Sequence, residues 1–230
     1  MHLFLAESIE GNIGYLSKDE SHHASRVLRL QAGENIYVTL GKGTIWEAEI
    51  DQLSKTQCRF TLGVIWKTAL QEKQLHIAMA PTKNNDRFEF FLEKATEIGI
   101  NEITPIICDH SERKVYKTER GQKIISAAAK QSQSCWWPIL NEPVNLQNFL
   151  VKDYGGAKFI AHCENQNSPN ILKELPTYPH LLMLIGPEGD FSKREIEKAR
   201  EHSFVECSLG SKRLRTETAG LAVALAAGLL

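Results

Sequence analysis

Several things are scarce in this chain, and each scarcity excludes a class of function. Its five cysteines (Cys58, Cys108, Cys135, Cys163, Cys207) are scattered, odd in number and never spaced C-x-x-C. That pattern predicts neither a disulfide framework nor a zinc site, and it fits a reducing, cytoplasmic setting. The adjacent His22 and His23 point different ways on a helix, and no cysteine or carboxylate completes a ligand set at the usual spacing, so no metal is expected. Net charge is −1, so any affinity for nucleic acid must come from a local patch and not from overall attraction. The longest apolar stretch, residues 219–230, falls well short of the roughly 20 residues that span a membrane. The opening MHLFLAESIEG has too short an apolar run, and too acidic a sequel, for a signal peptide. There is no internal repeat, no P-loop and no G-x-G-x-x-G.

What is present concentrates near the C-terminus. An apolar strand at residues 180–185 runs into Gly186-Pro187-Glu188-Gly189, and Ser192 with Glu195 then forms a capping box that opens a helix. A second short strand, residues 204–209, ends at Gly210-Ser211. Lys212, Arg213, Leu214 and Arg215 follow, and Thr216-Glu217-Thr218 opens a last helix rich in Ala, Gly and Leu. The pattern is strand, glycine loop, helix, twice over, with both loops at carboxyl ends of strands, where open α/β sheets bind ligands. One such loop is an ordinary turn. Two of them, one with Glu188 and the other with Arg215 and Glu217, point to a site.

Upstream, residues 1–70 read as mostly β: 35–40, 44–50 and 57–65 are short alternating or β-branched runs that suggest a small barrel. Before them, residues 21–30 form an amphipathic segment. Val27, Leu28 and Leu30 are expected inward and His23, Arg26 and Arg29 outward, as a solvated face or as a phosphate-contacting surface. Residues 66–73 read as a linker. Strand 74–80, helix 87–98 with Lys94 and Glu97 on its polar side, and strand 100–108 then begin a strand–helix–strand order that argues for a parallel sheet. Between residues 110 and 130 six basic side chains, Arg113 and Lys117 among them, face only Glu112 and Glu119, a local +4 that suits RNA. Trp136 and Trp137 fit a core or interface better than base stacking. Strand 158–164 leads into a polar loop, 165–170.

LIGPEGDFSKREIE followed by SLGSKRLRTETAG closely resembles the C-terminal signature of the bacterial 16S rRNA (uracil-N3)-methyltransferases of the SPOUT superfamily. The resemblance implies an α/β fold: a SPOUT-type parallel sheet with a C-terminal trefoil knot over 74–230, preceded by a PUA-like β-barrel over 1–70. It further implies S-adenosylmethionine as cofactor, a homodimer, and 16S rRNA or the small ribosomal subunit as partner. The cofactor pocket would draw on Ala161, His162, Cys163, Ile185, Gly186, Glu188, Gly189, Leu209, Gly210, Leu214 and Thr218. His23, Arg26, Arg29, Lys83, Arg113 and Lys117 would meet RNA. For the chemistry, Glu97 or Glu217 is the candidate base, and Lys94 or Arg215 the candidate stabiliser of a uracil anion. Lys94 stands five residues before Gly99, the spacing of a catalytic arginine in related SPOUT ribose methyltransferases. Glu217 fits equally well as a cap of the last helix. Where family members often carry arginine, this chain has Leu3 and Ser134. The alternatives are a SPOUT enzyme acting on tRNA ribose or guanine, and an RNA-binding assembly protein without catalysis.

Overall fold

The computed structural model describes residues 2–163 and 169–227, arranged as two compact units. Most of the expected loop 165–170, the end of the expected strand at Glu164 and the last three residues of the expected final helix lie outside the described residues.

The first unit comprises residues 1–71 and 129–137. Strands β1 (Leu3–Glu10), β2 (Ile13–Leu16), β3 (Asn35–Thr39), β4 (Thr44–Leu53) and β5 (Cys58–Thr68) close into a barrel in the order β1-β2-β5-β4-β3. All neighbours are antiparallel except β1 and β3, whose parallel pairing seals the barrel and leaves no open edge. Phe4, Leu16, Ile36, Val38, Ile50 and Phe60 fill it. Gly14 is required by that filling, since a Cβ there would lie 2.2 Å from the Phe60 ring. β5 continues through Thr68, so the first residues of the expected linker are strand.

Segment 129–137 packs onto the β3–β4 turn. Trp137 sits against Gly41 and Trp136 against Gly43, two glycines with positive φ, and the Trp136 indole donates to the Ala69 carbonyl at 2.8 Å. Leu3, Ile45 and Cys135 form a small buried cluster, and the Ser134 hydroxyl donates to the Trp136 carbonyl. Leu3 and Ser134 are therefore both used in packing within this unit.

Helix α1 (Lys18–His22) is capped by Ser17 and runs directly into a π-helical turn, His23–Val27, marked by the Leu28 N–H bonding five residues back to the His23 carbonyl. The wider turn shifts the face. Ser21 and Ala24 are buried, whereas Val27, expected inward, is 64% exposed. His23, Arg26 and Arg29 are exposed as expected.

The second unit comprises residues 72–128 and 138–230. Its elements are β6 (Gln74–Met79), α2 (Asn85–Ile98), β7 (Glu102–Ile107), α3 (Thr118–Gln131, whose last turn belongs to the barrel unit), β8 (Ile139–Leu140), β9 (Val144–Asn145), α4 (Leu146–Leu150), β10 (Ala157–Ala161), β11 (His180–Ile185), α5 (Lys193–Glu201), β12 (Val205–Cys207) and α6 (Thr216–Ala226). The sheet is parallel, in the order β12-β10-β11-β6-β7-β8, with β9 also paired to β7. Helices cover both faces, as a buried parallel sheet requires. α2 and α6 lie on one apolar layer and α4 and α5 on the other. From β6 the chain moves outward to β7 and β8, then returns on the other side as β10, β11 and β12. Strand order therefore reverses between β6 and β11, and the crevice at their carboxyl ends is the expected ligand position in such sheets.

Candidate functional site

The loop after β11, residues 186–190, is held from four directions. The Thr216 hydroxyl, in the first turn of α6, donates to the Gly186 carbonyl at 3.0 Å and ties the two glycine loops together. The Lys83 backbone N–H donates to Glu188 Oε1 at 3.0 Å, and the Cys163 backbone N–H donates to Asp190 Oδ2 at 2.8 Å. His110 Nδ1 lies 3.1 Å from both the Gly189 and Asp190 carbonyls. Carbonyl oxygens only accept, so Nδ1 carries the hydrogen. Just beyond, Ser192 and Glu195 form the expected capping box, and both extend it to Asp109: Ser192 Oγ donates to Asp109 Oδ2, and the Asp109 N–H donates to Glu195 Oε1.

The glycines of this loop are set by their neighbours and not by their own backbone angles. Neither Gly186 nor Gly189 has a positive φ; the left-handed residue is Asp190, at φ 63°. A Cβ on Gly186 would meet the Phe191 ring at 3.1 Å, and one on Gly189 would meet the His110 Cβ at 3.0 Å. These glycines thus permit close protein-against-protein packing within the loop. Gly210, by contrast, needs to be glycine for its backbone, at φ 125°.

The loop after β12 is built differently. Ser208 and Gly210 bond to each other, and Leu209 and Leu214 pack against the core on the α2/α6 side. Lys212, Arg213 and Arg215 are exposed, as is Thr218. Arg215 is the N-cap residue of α6 but makes no capping hydrogen bond through its side chain. Glu217 is buried, 3.9 Å from the guanidinium of Arg87 in the first turn of α2. Between the two loops lies the end of β10, where Ala161 pairs with Ile185 of β11 and with Cys207 of β12. The side chain of His162 turns away toward Glu206, 2.7 Å from its Nε2, and Arg200 shares that carboxylate. These partners, Arg200 first, hold the Glu206 carboxyl below its usual range.

Not every sequence candidate is brought to these loops. Lys94 is engaged by Glu93 at 2.7 Å and Glu97 at 3.0 Å, and these contacts raise its pKa. Seven residues separate it from Arg87, about 10 Å along α2 at 1.5 Å per residue, in the direction away from the loops. Arg113 is turned inward: Nε donates to the Thr82 carbonyl at 3.1 Å and Nη2 to the Lys83 carbonyl at 2.7 Å. The Lys83 ammonium pairs with Glu112 at 2.7 Å, and Lys117 is exposed. A hollow of about 340 Å³ lined by Lys83, Glu112, Arg113, Lys114 and Val115 borders this clasp. The holding roles of His110, Asp190 and Thr216 emerge only from the structure. Asp190, directly after GPEG, carried a usable signal, because aspartate tolerates the left-handed region.

Known proteins agree with this architecture. The family model for an RNA methyltransferase domain matches residues 70–228, and that for an RNA methyltransferase PUA domain matches residues 16–63. The ribosomal RNA small subunit methyltransferase E of Synechocystis is 30% identical, over 89% of this chain and 69% of its own length. A crystal structure from Porphyromonas gingivalis, described as a probable rRNA-methyltransferase, is 34% identical, with a TM-score of 0.83, 98% of this chain covered and 96% of that one. A Legionella pneumophila methyltransferase structure with S-adenosylmethionine bound is 28% identical, with a TM-score of 0.81 and coverage of 97% and 94%. With its barrel, its parallel sheet and its joined glycine loops, the chain belongs to the RNA methyltransferase family, among the ribosomal RNA small subunit methyltransferases E.

Proposed function

We propose that this protein transfers a methyl group from S-adenosylmethionine to N3 of a uridine in 16S rRNA of the small ribosomal subunit. The observation that carries this reading is the Thr216–Gly186 hydrogen bond, which joins the two signature loops at the carboxyl ends of the strands. The cofactor supplies a methyl group already activated on a sulfonium, so the protein's task is to align the reactants and exclude water. Backbone held as firmly as residues 186–190 suits the first task. The exposed Arg215 suits a second one, stabilising negative charge on the uracil as N3 loses its proton. Glu217, buried beside Arg87 in the first turn of α6, is placed as an orienting ion-pair partner near the positive end of the helix dipole.

The homodimer belongs to the same reading. α2 and α6 pack side by side, Gly220 leaving room for the Phe91 ring that a Cβ would meet at 2.6 Å. Their outer surfaces expose Phe90 (48%) and Leu225 (54%), with Leu221 and Ala222 partly exposed. A second copy covering that stripe would remove it from water, and Lys94 and Glu97 would enter the chemistry through that contact. The reading also carries the family's trefoil knot, cytoplasmic location and division of labour, with residues 1–70 for RNA and 74–230 for the cofactor. His23, Arg26 and Arg29 on the π-helical turn are the supporting observation for RNA contact, since such turns recur at functional sites.

The test is chemical. Small-subunit rRNA methylated by the purified protein with labelled cofactor should yield 3-methyluridine on digestion to nucleosides. A 2′-O-methyl nucleoside or a methylated guanine would overturn the substrate assignment. Replacing Arg26 and Arg29 together by alanine should lower the salt dependence of RNA binding, by about 0.7–0.9 in log–log slope for each phosphate that is no longer neutralised.

A further inference from the structure

His110 is used on one side of its ring only. Its Nδ1–H donates to the Gly189 and Asp190 carbonyls, 3.1 Å from each, so in the neutral ring the lone pair lies on Nε2. The side chain is exposed, and Nε2 has no hydrogen-bond partner among the described residues. The segment that carries it, between β7 and α3, is fixed on both sides of the histidine. Asp109 accepts from Ser192 Oγ and donates its N–H to Glu195, while Ser111 Oγ accepts from the Cys108 N–H at 2.9 Å. Arg113 closes the segment on the carbonyls of Thr82 and Lys83. The imidazole is therefore held against the loop after β11 in one tautomer, with its basic nitrogen left free.

Attack by uridine N3 needs a group that takes a proton at neutral pH, a task that suits an imidazole better than a carboxylate. The other titratable groups around the ring are committed. In the loop after β11, Glu188 accepts from the Lys83 N–H, and Asp190 accepts from the N–H groups of Cys163 and Phe191. Beside the histidine, Asp109 meets Ser192 and Glu112 meets the Lys83 ammonium. Glu195 of α5 accepts from the N–H groups of Asp109 and Ser192. Burial, and then the charge of Asp190, push the Cys163 thiol up and keep it protonated. Of the two candidate carboxylates, Glu97 is paired with Lys94 and Glu217 is buried beside Arg87. We propose that His110 is the general base of the reaction, its Nε2 removing the N3 proton of the uridine. The N3 electron pair then forms the bond to the methyl carbon, the carbon–sulfur pair stays with sulfur, and the imidazolium passes its proton to water. The proposal rests on the uridine reading above, and it gives His110 two tasks: one nitrogen holds the loop and the other accepts the proton.

Asparagine separates those tasks, because its amide nitrogen can stand in for Nδ1 and donate to the two carbonyls but offers no base. In His110→Asn, calorimetric affinity for S-adenosylhomocysteine should stay within about twofold of wild type. Single-turnover methyl transfer near neutral pH should fall on the order of a hundredfold. That deficit should shrink as pH rises and hydroxide takes over the proton. In His110→Ala, added imidazole should restore rate in proportion to its concentration. Long-range proton–nitrogen NMR of the neutral ring in the unliganded protein should show the Nδ1–H tautomer. A wild-type rate in His110→Asn, or a loss of rate matched by a loss of cofactor affinity, would make His110 a loop support and overturn the proposal. So would a defect confined to KM for rRNA, the mark of a phosphate contact, or an Nε2–H tautomer, or a His110→Ala rate indifferent to imidazole. Wild type that forms no 3-methyluridine would instead overturn the uridine reading, and this proposal with it.

Discussion

The loops after β11 and β12 flank the same strand end, yet one is pinned along its length and the other chiefly at its start. Residues 186–190 receive hydrogen bonds from Lys83, His110, Cys163 and Thr216, groups that lie between 27 and 105 residues away in sequence. Residues 208–215 are held at one end, where the Ser208 backbone bonds to Pro169 and Ile171, and internally through Ser208 and Gly210, and they carry exposed cations on Lys212, Arg213 and Arg215. A loop pinned by distant backbone donors has its shape fixed before anything binds, which suits positioning. A loop that spends few of its polar groups on the fold keeps charge available for the reacting species. Affinity and rate should accordingly separate between the two.

The sharpest way to break that separation is Arg215→Ala. If its guanidinium meets charge developing on the uracil, single-turnover methyl transfer should fall on the order of a hundredfold or more. Cofactor affinity should stay near wild type, because the exposed side chain makes no capping hydrogen bond in α6. A wild-type rate would leave the cationic loop without a chemical role; a parallel loss of affinity would show that the two loops share one task.

A smaller effect is expected from the pinned loop. Asp190→Gly keeps the left-handed backbone but removes the acceptor from the N–H groups of Cys163 and Phe191. The Cys163 N–H is exposed and the Phe191 N–H half-buried, so their loss costs about 1 kcal/mol, toward the low end of what an unpaired buried donor costs. Affinity for S-adenosylhomocysteine should therefore fall severalfold. The rate at saturating cofactor should change less than in Arg215→Ala, and the opposite ranking would reverse the assignment of the loops.

Much of this comparison was hidden in the sequence for identifiable reasons. Strand β11 and helix α5 were legible because their signals are local: an apolar run, then Ser192 and Glu195 three residues apart. Strands β1 and β2 escaped notice, and the pairing register of β1 breaks between Ala6 and Ser8, which interrupts the alternation that marks a strand. Val27 was misplaced because a 3.6-residue period cannot foresee a π-helical turn. In the site, the glycines were visible but the packing that requires them was not. That packing depends on Phe191 and on His110, the latter 79 residues from Gly189. The charge of Arg113 is legible in a sequence, whereas the Thr82 and Lys83 carbonyls that it bonds are not.

The mildest expected effect asks whether loop phenotypes are local or reflect a weakened sheet. β6, which borders both the switch point and the clasp, carries the buried His76. Its Nε2 lies 2.7 Å from the Thr104 hydroxyl, and Phe149 and Tyr154 pack edge-on to the ring. Burial pushes the pKa of this imidazole down to about 4, against a weaker opposing pull from Glu102. The folded state thus favours the neutral ring, and the unfolded chain binds the proton first, near the ordinary histidine value of about 6.5. Stability from this site is complete above that value and is lost as pH falls toward the folded pKa. Between about pH 7.5 and 5.5 the loss from His76 amounts to roughly 1 kcal/mol, on a scale of 1.36 kcal/mol per pKa unit. Urea midpoints at the two pH values should show this drop in wild type and a smaller one in His76→Asn. At the acidic end, Arg215→Ala and Asp190→Gly should keep their separate signatures of rate and affinity. If wild type at that pH reproduced either signature, the contrast between the loops would reflect the stability of the sheet beneath them and not what each loop does.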